Sequence, residues 1–141
     1  MSDPMTVVAR LRRLDLDRAQ RSLADCLRAE TDAAAVLRHL DARIAAEMDA
    51  ASGAADDDRP VDAFSVWMRR VGAERAMAAD ALAHAETHSA EARAVLAASR
   101  AAAQAVVDRL ARREAERQAT DARRAQAALD EAGTAPRMTE P

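Results

Sequence analysis

The sequence lacks most of the residues that build a large hydrophobic core. It has no Tyr, and Phe64 and Trp67 are its only Phe or Trp residues in 141 positions. Half of the chain counts as hydrophobic, but most of that half is alanine, which buries little area. Because globular cores depend on the area that aromatic side chains bury, a compact single-core domain is not expected. The abundance of Ala, Arg, Glu and Leu is typical of a long helix or coiled coil.

The charge balance, the single cysteine and the lack of long apolar runs exclude several classes of function. The 21 basic residues are all Arg, the net charge is −3, and both signs are spread along the chain. This balance argues against a nucleic-acid-binding or anionic-membrane surface. A single cysteine, Cys26, excludes an intramolecular disulfide. There is no signal-peptide pattern and no apolar run of about 18 residues, so we expect a soluble cytosolic protein.

The first half of the chain predicts one helix, over about residues 4–51. Asp3 is placed to cap it, and Pro4 suits the first helical position. A seven-residue repeat runs along it, interrupted only by Glu30. The repeat consists of Leu16, Leu23, Leu37 and Ile44, followed three residues on by Ala19, Cys26, Ala33 and Leu40.

The second half predicts a second helix over about residues 61–132, after a turn at 52–60 and before a frayed tail at 133–141. Gly53 and Pro60 bound the turn, and Gly133 and Pro136 mark the helix end. This helix has its own apolar repeat, made of Leu82, Ser89, Leu96, Ala103 and Leu110 with Ala85, Ala92, Ser99 and Val106.

Two apolar faces joined by a short polar break predict an all-α protein, a single antiparallel two-helix coiled-coil hairpin. The predicted register sets Ala51 opposite Asp62. It then sets Met5 opposite Asp108, so helix 1 and the apolar repeat of helix 2 end together near Leu110. The rest of helix 2 overhangs helix 1 as a polar segment, residues 111–132, which suits either a solvated rod end or a partner surface.

No catalytic or metal site is expected. His84 and His88 share a helix face, and the predicted register brings Asp25 and Cys26 near them. A metal site needs three or four converging ligands, so solvated histidines and a buried thiol are the preferred interpretation. The acidic run 56–58 lacks the Gly and distal Glu of a calcium loop. Scattered carboxylates form no pocket, and we expect neither an enzyme nor a cofactor.

The aromatic residues fall in FSVWMRR, residues 64–70, at the start of helix 2. Phe64, Trp67, Met68 and Val71 have i, i+3, i+4, i+7 spacing and share one face. They can brace the hairpin beside its turn, where alanines leave space. They can also form an anchor for a partner, because Trp is enriched in binding hot spots.

The whole layout resembles the flagellar export protein FliJ and its injectisome counterpart, the YscO type. The resemblance rests on the opening VVARLRRLDLDRAQRSLADCLRAE, on FSVWMRR after the break, and on the close LARREAERQATDARRAQAALDE. The close matches an Arg-x-Gln-xx-Leu-Asp-Glu-like pattern through Arg124, Gln126, Leu129, Asp130 and Glu131. The family's usual Glu before the Gln is Ala125 here.

The resemblance implies a non-enzymatic stalk of a type III protein export apparatus. Proteins of this family resemble the central stalk of rotary ATP synthases. The end with both termini enters the hexameric export ATPase, and other parts contact the export gate's cytoplasmic domain and substrate chaperones. The ring contacts would be Arg112, Arg113, Arg117, Arg123, Arg124, Gln126, Asp130 and Glu131. The gate contacts would be Phe64, Trp67, Met68 and Val71.

Other interpretations remain open. One is an injectisome stalk or chaperone escort instead of a flagellar stalk. Another is a purely structural coiled-coil spacer that homodimerises. A third is an adaptor that holds a partner helix in its alanine-rich seam. The expected location for the stalk is the cytoplasm, at the inner-membrane export apparatus and peripheral to the membrane through its partners.

Overall fold

The computed structural model describes residues 3–53 and 61–134, and every one of them except Asp3 is helical. Helix α1 spans Pro4–Gly53 and helix α2 spans Val61–Thr134. Each helix runs two residues beyond its predicted end. Near each end a side-chain hydroxyl bonds back to the carbonyl four residues earlier: Ser52 donates to the Met48 carbonyl at 2.8 Å, and Thr134 donates to the Asp130 carbonyl at 3.0 Å. The acidic run 56–58 lies outside the described residues.

Helix α1 begins at the predicted cap. The Met5 amide donates to the Asp3 carboxylate at 3.0 Å, and the Thr6 amide donates to the Asp3 carbonyl at 2.9 Å. Two of the amides that a helix start leaves unpaired are thereby satisfied. Proline follows at the first helical position, where its missing N–H costs nothing.

The chain divides into two compact units, which we name by their position in the sequence. The terminal unit comprises residues 1–14 and 100–141, and the central unit comprises residues 15–99. Both helices contribute to each unit. In the central unit, Leu40, Val71 and Ala78 form a buried core, and Leu37, Ile44, Trp67 and Met68 pack against it.

The predicted apolar faces are the packed faces. Every residue of the two predicted seven-residue repeats is partly or fully buried, from Leu16 to Ile44 in α1 and from Leu82 to Leu110 in α2. The two helices therefore pack through the small and aliphatic side chains that the repeats identify.

In the central unit, contacts between the helices run in opposite sequence directions. Glu30 of α1 contacts Ser89 of α2. Asp41 lies later in α1 than Glu30, and it contacts Arg75, which lies earlier in α2 than Ser89. A hairpin is consistent with this order. The register differs from the predicted one, which would set Asp41 opposite Gly72. Alanine-rich faces fit together in several registers, and these polar contacts favour the observed one.

Candidate functional site

The polar segment is fully accessible. Every residue from 111 to 132 is exposed, including all eight residues of the predicted ring contact. Its one large aliphatic side chain, Leu129, is 67% exposed. The segment is helical without burying an apolar face, so its helicity depends on composition and on local pairs.

Several residues of the predicted ring contact already form such local pairs within α2. The Gln126 amide donates to the Asp130 carboxylate at 2.9 Å, four residues further along α2. Arg124 lies 3.9 Å from Asp121, three residues before it on the same helix. Arg117 pairs with Glu114 at 3.5 Å. All these groups are solvent-exposed, so each ion pair contributes little and can exchange for a partner's charge at small cost.

One residue of the set joins the two helices of the terminal unit. The Arg113 guanidinium lies 3.6 Å from the carboxylate of Asp3, the residue that caps α1. Arg113 also lines an open depression of about 500 Å³ on α2. The other residues that line the depression are Ala105, Arg109, Arg112 and Glu116. Sequence reasoning missed Arg109, whose signal was its i+3 and i+4 spacing to Arg112 and Arg113.

The aromatic cluster, made of Phe64, Trp67, Met68 and Val71, has an inner side that packs against the core and an outer side that faces solvent. The rings of Phe64 and Trp67 stack with centroids 5.9 Å apart and planes 25° from parallel. Trp67 and Met68 pack against the central core, and Val71 is only 2% exposed. In this conformation Val71 offers no surface to a partner. These side chains therefore brace the packed helices, whatever else the cluster does.

The outer side of Trp67 remains accessible. It lines an open depression of about 460 Å³ together with Asp62, Ala63, Val66 and Arg70. Val66 is among the exposed large hydrophobic residues. The accessible part of this end of α2 is therefore Trp67 with Val66 and Arg70, and it does not include the buried Val71.

A polar contact inside the helix interface was not predicted. Ser89 is 0% exposed, and its hydroxyl donates to the Glu30 carboxylate. The Arg93 guanidinium lies 3.4 Å from the same hydroxyl oxygen. Glu30 interrupts the apolar repeat of α1, Ser89 is a polar member of the repeat of α2, and the two residues meet. That coincidence was the available signal, because a buried polar group requires a hydrogen-bond partner.

The histidines and the cysteine do not converge. Within the described ranges no group of three or more His, Cys, Asp or Glu residues could hold a metal ion. His84 contacts the Asp80 carbonyl at 2.7 Å, and His88 lies 3.5 Å from Glu91, both within α2. Cys26 is partly buried in the helix interface.

Comparisons with models of protein families, with curated proteins and with solved structures find no match to this chain. In the part of the chain that the structure describes, neither helix has a stretch apolar enough to cross a membrane.

Proposed function

We propose that this chain is a stalk-like component of a type III protein export apparatus, as its resemblance to FliJ implies. It acts as an antiparallel coiled-coil hairpin that binds the hexameric export ATPase in the cytoplasm and carries no active site of its own. The observation that supports the proposal most is the polar segment, a continuous helix exposed along residues 111–132. A surface that buries nothing within its own chain is available to a partner.

The chemistry of the polar segment suits a ring of protein subunits. It displays both signs of charge, with arginines that form forked hydrogen bonds to carboxylates. Its intrahelical ion pairs are exposed and weak, so they can be exchanged for contacts to a surrounding ring. The ring contacts in this proposal are Arg112, Arg113, Arg117, Arg123, Arg124, Gln126, Asp130 and Glu131.

The export-gate contact in this proposal centres on the outer side of Trp67. The four residues that the resemblance assigns to the gate are Phe64, Trp67, Met68 and Val71. Val71 and Met68 brace the core, whereas Trp67 with Val66 can contact a partner. If Trp67→Ala lowers thermal stability and leaves gate binding unchanged, the Trp67 side chain only braces the packed helices. Substrate chaperones are further proposed partners.

The direct test is ATP hydrolysis by the cognate export ATPase. We expect the full chain to stimulate hydrolysis and a chain truncated after Leu110 to lose the stimulation. The described residues that the truncation removes, 111–134, are all exposed, so its helix content per residue and its melting temperature serve as folding controls. Absence of binding and of stimulation by the full chain would contradict the proposal.

A charge-matched comparison sharpens the test. The triple variant Arg112→Gln, Arg117→Gln and Arg124→Gln alters the polar segment. The control variant Arg28→Gln, Arg38→Gln and Arg43→Gln alters the central unit by the same charge. Only the first should lower stimulation. An equal loss in both would indicate a nonspecific effect of net charge. A stable homodimer with no ATPase effect would favour a coiled-coil spacer.

A further inference from the structure

Helix α1 has a second apolar face near its start, in the terminal unit. Val7, Leu11 and Leu14 have i, i+4, i+7 spacing and are 49%, 55% and 43% exposed. Met5 and Val8, on the other side of the helix, are partly buried. This part of α1 is therefore apolar on two sides, and only one is covered within the described residues. We name Val7, Leu11 and Leu14 the exposed stripe.

The exposed stripe is bordered by positive charge. Arg10 lies three residues after Val7 and four before Leu14, and it is exposed. Asp3, one helical turn before Val7, contacts Arg113 of the arginine-lined depression. The ion pair thus ties the start of α1 to a second basic surface, on α2.

The two units differ in charge. The terminal unit has eleven Arg and eight acidic residues, a net charge of +3. The central unit has ten Arg and sixteen acidic residues, a net charge of −6. Pairing the exposed stripes of two copies would bring two positive units together, with Arg10 of each copy at the contact. Like charges in contact are unfavourable, so the charge disfavours pairing of two exposed stripes and favours an acidic partner.

We propose that the exposed stripe and the arginine-lined depression form a docking surface for an acidic amphipathic helix of another protein. Helices that pack into apolar grooves or onto each other do so through aliphatic side chains at spacings such as i, i+4 and i+7, which is the spacing of the exposed stripe. The partner's apolar residues cover Val7, Leu11 and Leu14. Its flanking carboxylates pair with Arg10, Arg109 and Arg112. The proposal holds whether or not the export ATPase is a partner of this chain.

A lipid surface fits these observations less well. Interfacial helices need a wide apolar face that inserts well into the headgroup region. The exposed stripe has three large side chains, and the opposite side of α1 is already packed. A protein helix can cover so narrow a stripe, since it brings its own complementary carboxylates.

The test uses the full chain and synthetic helical peptides labelled with fluorescein. Peptides of about 20 residues are long enough to form helix. The acidic probe carries Leu at i, i+4 and i+7 with Glu on both flanks. A second probe replaces Glu with Lys, and a third scrambles the acidic sequence to destroy the stripe. Fluorescence anisotropy should show the acidic probe binding about tenfold more tightly than either other probe, and more weakly as salt increases.

Matched variants locate the binding surface. Leu11→Gln should weaken binding of the acidic probe about tenfold, while Leu129→Gln, at another exposed leucine of the same unit, should leave it unchanged. Arg112→Gln should weaken binding severalfold, while Arg100→Gln, at another exposed arginine of the same unit, should not. All four side chains are exposed, so circular dichroism should show unchanged melting temperatures.

Several outcomes would overturn the proposal. They are no saturable binding of the acidic probe, equal binding of the Lys probe, or no effect of Leu11→Gln. A dimer in sedimentation velocity that Leu11→Gln dissociates would assign the exposed stripe to a second copy. Binding to phosphatidylglycerol vesicles that Leu11→Gln abolishes, without peptide binding, would assign it to a lipid surface.

Discussion

The buried core of the central unit and the polar segment are helical for different reasons. Around Leu40 and Val71, two helices bury large side chains against each other, and Phe64 and Trp67 stack beside them. From residue 111 to 132 nothing is buried, and the helix relies on alanine, arginine, glutamate and local pairs. The first region depends on tertiary packing for its stability, whereas the second stays exposed to solvent and contacts α1 through the ion pair of Arg113 with Asp3.

The largest predicted difference between the regions comes from removing a core side chain. Leu40→Ala should lower the free energy of unfolding by about 2–3 kcal/mol, because it leaves a cavity beside Val71 and Ala78. Leu129→Ala, the matched change in the polar segment, should change it by less than about 0.5 kcal/mol. Urea denaturation followed by circular dichroism measures both. Equal losses would show that the polar segment is packed as firmly as the core.

A smaller effect is expected at the buried polar contact. Ser89→Ala should lower the free energy of unfolding by about 1 kcal/mol, because the Glu30 carboxylate loses its hydrogen bond at a partly buried position. Adding Glu30→Leu should restore stability or exceed it, since an apolar pair replaces the polar one. A double-mutant cycle isolates the coupling. Additive effects of the two changes would mean that the contact contributes nothing.

The smallest predicted effect is the difference in stability between two variants that each lose an exposed ion pair. Arg75 reaches Asp41 across the helix interface, with nitrogen–oxygen distances of 2.5 and 3.4 Å, whereas Arg117 reaches Glu114 within α2. Both pairs are largely screened by solvent. Arg75→Gln should cost about 0.5 kcal/mol, and Arg117→Gln about 0.2 kcal/mol. Thermal unfolding at low and high salt measures both, and the difference should shrink as salt increases. A larger loss for Arg117→Gln would reverse the comparison.

The sequence predicts the helices well because their signals are local. Proline at position 4 and the seven-residue repeats define the start of α1 and the packed faces. The register was not predictable, because alanine side chains fit in several alignments. Glu30 was visible as an interruption of one repeat and Ser89 as a polar member of the other, but only three-dimensional packing shows that they meet.

The site was predicted less fully than the fold. The exposure of the ring-contact residues follows from their polarity, since no apolar face lies among them. The burial of Val71 did not follow, because i, i+3, i+4, i+7 spacing shows that four side chains share a face and not which way it points. The exposed stripe was overlooked for a related reason, since Met5 and Val8 alternate with Val7 and Leu11 and blur the periodicity.

Amide hydrogen exchange on the full chain, alone and with the cognate export ATPase, tests the central claim most directly. For the free chain, we expect slow exchange at residues 37–44 and 71–78 and fast exchange at residues 111–132, because only the first regions are packed. Added ATPase should slow exchange along residues 111–132 and leave the core unchanged. Slow exchange of the polar segment in the free chain, or no change on adding the ATPase, would contradict the account.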